Sequence, residues 1–544
     1  MKGIISAGHE LTARAGIEMY EAGGNAFDAA VAACFASFVA ESALTSPGGG
    51  GFLMAHTSEG ATLVYDFFVN VPGLGLGDIR KREKGFFSVS IDFAGARQGV
   101  HIGEGSAAVP GVFAGLSEVH KNHCTLPLAA IMAPAIRYAR EGIELTSWQA
   151  YFSGLLSPML SISDEVRGVY APADRFLKAG DRIFHGELAS AFEYLSKEGL
   201  HKFYEGEMAG RVLEGFGTER GGLITGDDLK SYRVIARKPL ELGYRDRRVF
   251  TNPPPSSGGC LTAFALKLLE RFDVRSLGHN TSAYLKLLAE ATRVTNEARS
   301  ADFDHRVYEE GMEEEFLSEA RVSHYVKKLK VGGEGGLGGI GRLGGPGAAG
   351  AAGGPGAHEG TSTGSTTQVS AVDAQGNVAS VTTSVGMGCG FMIPGTGIMM
   401  NNMLGEKDLN PLGFHGQPPG MRMSSMMAPT IVMRDSAPEI VLGSGGSKRI
   451  RSAILQAMVN LIDHGLPVSE AVNSPRVHWE KGVLDTEQGI DEEELAALEK
   501  EGFNLKRWEA RSMYFGGVHT VCSGPGGFSG AGDSRRGGVS KKIF

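Results

Sequence analysis

The chain has 544 residues, a net charge of -8, and hydrophobic and charged fractions of 42% and 21%, the profile of an ordinary globular protein. That length exceeds the roughly 250–300 residues at which a single core stops growing, so a large domain or two to three smaller ones are expected. Beyond Arg535-Arg536 and Lys541-Lys542 there is no basic block, which argues against nucleic acid, and no apolar run reaches the ~18 residues of a membrane span.

Five scattered cysteines without CxxC spacing read as reduced thiols rather than a disulfide frame or a zinc site. The first residues carry no signal-peptide core and read directly as domain structure, so a cytoplasmic protein is expected.

In chain order, residues 9–40 read as helical, with Gly24 ending one helix and Asn25 capping the next. The glycine run 48–51 leads into a strand at Phe52–His56. A Ser-Glu-Gly turn then gives a second strand over Ala61–Phe68, and the pair forms a hairpin. No Lys-Ser/Thr follows the glycines, so they are not a phosphate loop. Helices are expected over Val112–His120 and 126–141, and most of 147–300 reads as helical. Breaks fall at Gly221–Asp228 and at Pro253–Gly259, a rigid loop whose serines read as turn and cap groups. A helix from Cys260 to Arg271 and a long one over Ser282–Ser300, with Ser282 as N-cap, complete this part.

Residues 332–360 are a glycine-alanine tract of low complexity, expected to be flexible. Its literal GxGxxG, Gly333–Gly338, lacks the strand-to-helix setting of a dinucleotide site. Beyond it the texture changes. Thr367–Val372 and Val378–Ser384 read as strands around a turn at Asp373–Asn377, followed by strands near Gly395–Met400, Ala428–Met433 and Ile440–Leu442. A helix over Ile450–Asp463, another from Val468 and a last strand within Tyr514–Cys522 suggest layered α/β architecture.

A flexible tract that ends in Ser365-Thr366-Thr367 at the start of a strand suggests self-cleavage of the Ser365–Thr366 bond. A freed N-terminal threonine holds a hydroxyl that attacks and an α-amine, of pKa about 7.7–8.0, that can take the proton. A plain linker between two domains accounts for the same stretch. Gly443-Ser-Gly-Gly446 before a helix offers backbone N–H groups to a developing oxyanion, and Ser424-Ser425 offers paired hydroxyls before a strand. His101, His305 and His324 stand apart from one another, so neither a metal nor any other cofactor is called for.

The run Thr366-Thr-Gln-Val-Ser-Ala-Val-Asp-Ala-Gln-Gly-Asn377, then Gly397-Ile-Met-Met-Asn-Asn402, Ser424-Ser425 with Ala428-Pro-Thr-Ile431, and Gly443-Ser-Gly-Gly-Ser447 resembles the γ-glutamyltransferase (γ-glutamyltranspeptidase) family. Gly24-Asn-Ala-Phe-Asp-Ala-Ala30, Gly48–Phe52, Pro110-Gly111, Gly222-Leu-Ile-Thr225 and Pro253–Gly259 are similar to its large subunit. The resemblance implies an N-terminal-nucleophile hydrolase fold, a four-layer αββα sandwich. It divides the chain into a large subunit (1–331), a linker (332–365) that ends at the cut, and a small subunit (366–544). It implies Thr366 as nucleophile, Gly445 and Gly446 as oxyanion hole, and Ser384 as hydroxyl support. Ser424 and Ser425 would hold a substrate carboxylate, and Glu406 a substrate amine. The expected partners are a small amide substrate and the two subunits of one precursor; association of several copies is left open.

Four departures stand against this pattern. Phe68 replaces the family's carboxylate-clamping arginine, Gly386 an asparagine, Met403 a glutamine, and Gln368 a histidine; Lys448 looks like an extra residue. A phenylalanine cannot make a bidentate guanidinium contact. Cleavage of γ-glutamyl or related acyl amides of the glutathione type is therefore set beside two alternatives. One is an amidase or acylase of non-glutamyl amides, in which an arginine such as Arg97 could substitute for the clamp; the other is an inactive binding protein.

Overall fold

A computed structural model describes residues 2–82, 84–93, 96–331 and 365–544, with the side chains of 92–98 excepted. The glycine-alanine tract with its GxGxxG, and the Arg97 side chain, lie outside the described residues. Two antiparallel sheets form the centre. The first, of seven strands, runs in the order Val539–Ile543, Gly3–Ala7, Ser365–Asp373, Val378–Gly386, Gly50–His56, Thr62–Phe67 and Ile235–Arg237. The second, of six, runs Gly527–Ala531, Gly517–Gly524, Ala437–Gly445, Thr430–Arg434, Arg247–Thr251 and Leu240–Tyr244.

Strand side chains alternate between faces, and here the alternation sorts the apolar residues into separate cores. Ile5, Leu53, Ala55, Val369, Ala371 and Val381 pack under the helices Glu10–Glu21, Ala26–Ala40 and Val112–His123. Their neighbours Ile4, Phe52, Met54, Val372 and Val378 face the second sheet, where they meet Phe250, Ile431, Met433 and Val441. Val249, Val432, Ile440 and Leu442 point the other way, onto the helices Ser257–Leu269, Ser282–Ala298 and Arg449–Ile462. Helix, sheet, sheet, helix is the four-layer sandwich expected from the sequence.

Asn25 caps the second helix as expected: its Oδ1 accepts from Phe27 and Asp28, and Asp28 returns a bond to the Asn25 N–H. Two boundaries move. Gly23, at φ 86°, rather than Gly24 takes the left-handed position after the first helix. Thr281, not Ser282, caps the long helix, accepting from Tyr284 N at 3.3 Å. The strand expected over Gly395–Met400 is a two-residue pairing of Met392–Ile393 with Ile398–Met399. The segment read as mostly helical contains three strands over residues 235–251, and Gly3–Ala7, Gly527–Ala531 and Val539–Ile543 are strands that the reading did not mark. All five cysteines are free thiols.

The space between the sheets is apolar toward one end and polar toward the other. At the polar end Thr366, Gln368, Ser370, Ser380, Thr382 and Ser384 face the second sheet, where Ser380 Oγ donates to the Leu442 carbonyl and Ser370 Oγ to the His519 carbonyl. The sheets approach closely there because the opposing residues are glycines. A Cβ on Gly443 would lie 2.1 Å from Gln368 Oε1, and one on Gly445 would lie 2.1 Å from the Thr366 carbonyl oxygen.

Candidate active site

Ser365 and Thr366 open an interior strand of the first sheet, and the pairing register shifts between them, so a bulge sits at the bond in question. Thr366 lies opposite Ser384, and both are buried. The Thr366 hydroxyl donates to Ser384 Oγ at 3.2 Å. Ser384 Oγ donates in turn to the Ser365 carbonyl oxygen and accepts from the Gly386 N–H at 2.9 Å. One serine hydroxyl thus links the attacking oxygen to the carbonyl that it would attack. A donor on that carbonyl favours charge developing on it.

Gly445 ends its strand against the Thr366 carbonyl, and Gly446 follows at φ 126°, a conformation that favours glycine. Ser444 Oγ donates to the Gly445 carbonyl at 2.9 Å and accepts from Gly517 N at 3.1 Å, which fixes the turn from behind. The extra residue Lys448 sits at the start of the following helix. Its ammonium bridges Asp408 at 3.2 Å and Glu480 at 2.8 Å.

Asp408 belongs to the same strap as Glu406. The Glu406 side chain is half-buried, its inward Oε1 has no hydrogen-bond partner among the described residues, and burial with the nearby Asp408 pushes its carboxyl up to about 8. Its target is Gly386: a Cβ there would lie 2.7 Å from Glu406 Oε1 and 2.3 Å from Asn402 Oδ1. Gly386 has φ 68°, and Asn402 Oδ1 already accepts from Met387 N at 2.7 Å. The carboxamide of Asn402 therefore occupies the space that a side chain at 386 would take.

The polar atoms of Ser424 and Ser425 bind the chain itself. Ser424 Oγ donates to the Pro255 carbonyl at 2.8 Å, and Ser425 Oγ accepts from Met427 N at 3.1 Å. The carbonyl of Ser425 takes bonds from the N–H and hydroxyl of Ser257, so the expected turn serines of Pro253–Gly259 clamp this pair. The Tyr308 phenol meets the Ser424 backbone, and burial raises it to about 12.

The chain matches the family model described as gamma-glutamyltranspeptidase over residues 12–543. It belongs to the γ-glutamyltranspeptidase family. Among curated relatives of this family member, the acylase ACY 1 proenzyme of Pseudomonas sp. (strain SE83) is 31% identical over 536 residues, 97% of this chain and 90% of that protein. The glutathione hydrolase proenzyme of Escherichia coli (strain K12) is 28% identical, with 98% and 90% covered. The cephalosporin acylase of Bacillus halodurans shares the fold at a TM-score of 0.82 with 24% identity, covering 99% of this chain and 95% of that one. The γ-glutamyltranspeptidase of Helicobacter pylori, at 27% identity, gives a TM-score of 0.52 over 59% of this chain and 90% of that one.

The departures from the family pattern now have surroundings. Phe68 is buried between the sheets and stacks on Phe52 at 5.6 Å. The guanidiniums beside it are committed: Asp66 holds Arg237 at 2.8 Å and Arg422 at 3.5 Å, and Arg422 also bonds the Phe68 carbonyl. Met403 lies in the inter-sheet core. Gln368 is satisfied by the hydroxyls of Thr382, Ser380 and Ser370.

Two residues beside Thr366 and Thr367 are not among the site residues expected from sequence. Glu41, on the helix layer, accepts from Thr367 Oγ1 at 2.5 Å and Thr12 Oγ1 at 2.7 Å; burial pushes it up to about 7. Arg536, noted only as part of a basic pair, is 2% exposed and donates to the Thr366 carbonyl at 3.2 Å. A doublet of arginines near a C-terminus reads as surface charge, and nothing local marks it as buried.

Proposed function

We propose that this chain is a self-cleaving N-terminal-threonine amide hydrolase or acyltransferase whose acyl donors lack the amino-acid head of a γ-glutamyl group. In the precursor, the Thr366 hydroxyl attacks the Ser365 carbonyl carbon. The peptide bond shifts to an ester, and water releases Thr366 with a free amine. In turnover that amine takes the hydroxyl proton while Oγ1 attacks the substrate amide. The N–H groups of Gly445 and Gly446 receive the oxyanion, and the proton passes to the leaving amine as the C–N bond breaks. Water, or an acceptor amine, then takes the acyl group from Thr366. Large (1–365) and small (366–544) subunits result, as the proenzyme names of the relatives support.

The observation that carries the substrate class is the closed, apolar environment of Phe68. Among the described residues the guanidiniums beside it, Arg237 and Arg422, are bound to Asp66. The acylase name of the 31%-identical relative agrees with this reading.

The test compares the hydrolysis of glutaryl and other simple acyl anilides with γ-glutamyl anilide on processed protein. Faster cleavage of the simple acyl amides is expected; selective cleavage of the γ-glutamyl compound sinks the substrate class. On a denaturing gel the protein should give two bands that divide at Thr366, and Thr366→Ala should remain a single 57.4 kDa chain.

A further inference from the structure

The nucleophile has a cation behind it. Arg536 Nη1 donates to the carbonyl of Thr366 at 3.2 Å, and the same guanidinium reaches the oxyanion turn: a Cβ on Gly445 would lie 3.0 Å from Nη1, and one on Gly446 would lie 3.4 Å from Nη2. A Cβ on Gly517 would lie 2.2 Å from Arg536 Cδ, so the strand beside the turn is also shaped around this side chain. Among the described residues Nε and Nη2 have no hydrogen-bond partner. A buried guanidinium with two of its three nitrogens unpartnered is costly, and its bond from Nη1 goes to the residue that would perform the chemistry.

We propose that Arg536 is a positioning residue for the nucleophile: it seats the Thr366 carbonyl against the Gly445–Gly446 turn, and its charge keeps the freed α-amine unprotonated so that the amine can accept the hydroxyl proton. This rests on the reading of Thr366 as an N-terminal nucleophile. The new amine is carried by the Cα next to the carbonyl that Arg536 holds, so cutting places an ammonium beside a guanidinium. A like charge in a desolvated site favours the neutral amine. The guanidinium stays charged at neutral pH: burial holds it down to about 10, Arg449 and Arg476 add to that, and Asp533 and Glu41 oppose it.

The other charged groups around the amine do not replace it. Glu41 approaches from the helix layer through Thr367, and burial leaves it largely titrating near 7. Glu406 approaches from the strap at Gly386 and is protonated up to about 8. Asp533 is held by Arg476 at 2.8 Å and Arg535 at 3.0 Å. Arg449, on the helix after the turn, donates Nε to Tyr514 O at 3.1 Å and stacks on the Tyr514 ring.

The experiment titrates the Thr366 amine in the cut protein by pH-dependent competitive acetylation read by mass spectrometry, together with the acid limb of the rate on an acyl anilide. In the parent, the amine should titrate below the about 7.7–8.0 of a free α-amine. Arg536→Gln should raise that midpoint and move the acid limb up by about one pH unit or more, a tenfold loss at a fixed pH on the limb that is recovered at alkaline pH. Arg536→Lys keeps the charge and should keep the parent limb even where its rate falls. An unmoved limb in Arg536→Gln, or a displaced one in Arg536→Lys, overturns the proposal; if Arg536→Gln remains uncut, Arg536→Lys decides. The amine titration needs no turnover. Cut protein that titrates as stated but cleaves no anilide sinks the substrate class and leaves the role of Arg536 standing.

Discussion

At the scale of single residues, the site is built from groups whose partners are missing or borrowed. Ser384 Oγ serves Thr366, Ser365 and Gly386 together, and Arg536 and Glu406 each keep unpartnered polar atoms in a buried setting. Such atoms cost stability and mark places where a substrate or an intermediate would complete the bonding. Glu406 makes this measurable. Its folded-state carboxyl is raised above the unfolded value of about 4.3, so between roughly pH 4.3 and 8 the unfolded chain has released a proton that the folded chain retains. Stability then falls as pH rises through that window and levels off above it. Glu406→Gln should flatten this slope and raise the thermal midpoint at alkaline pH relative to the parent, as differential scanning calorimetry across the window would show. An unchanged slope would remove Glu406 from the account.

At the scale of elements, the strap Met403–Leu409 and the turn before the helix Arg449–Ile462 are separate pieces joined by one side chain. Lys448 is 18% exposed and its partners Asp408 and Glu480 are 18% and 13% exposed. A fully buried pair that loses one member costs about 3–5 kcal/mol, whereas exposed pairs are worth about 0–1, so Lys448→Met should cost about 1–2 kcal/mol. The expected readouts are a lower thermal midpoint and a raised KM for the acyl anilide, because the strap loses its tie to the Gly445–Gly446 turn, the proposed oxyanion site. Lys448→Arg should recover most of both; a Met variant that matches the parent in both would show that the tie is idle. Element boundaries were readable where the signals are local. Asn25, Asp28 and the glycines between the first two helices announce a cap, and Ile450–Asp463 is found one residue earlier as Arg449–Ile462. The strands Leu240–Tyr244 and Arg247–Thr251 were lost within a stretch read as helical. Each is five residues long; they pair with one another as a hairpin, and only Arg247–Thr251 joins the rest of the sheet, by pairing with Thr430–Arg434 some 180 positions away in the chain.

At the scale of the molecule, both sheets are shared between the two sides of the Ser365–Thr366 bond. The part after the bond gives the first sheet Val378–Gly386, Val539–Ile543 and its share of the nucleophile strand, and these interleave with Gly3–Ala7, Gly50–His56 and Thr62–Phe67 from the part before it. Cutting the bond breaks one covalent link and none of these ladders. The cut and uncut proteins should therefore elute at the same volume in size-exclusion chromatography while differing on a denaturing gel; separation into two peaks in native buffer would contradict the shared sheets.

By itself the sequence determined the family resemblance and the layered fold, and it supplied the candidates: Thr366 as the proposed nucleophile and Phe68 in place of a clamping arginine. Each of these is written in neighbouring residues: Thr366 at the head of an alternating strand, glycines ahead of a helix, Phe68 after Asp66. Only the tertiary structure decided what stands against Thr366 and Thr367. Arg536 lies 170 residues from Thr366 and Glu41 lies 326 from Thr367, and each is buried only because distant strands and helices close over it. Burial and charge proximity depend on that closure rather than on local order, so the field around the threonine emerges only when the layers meet.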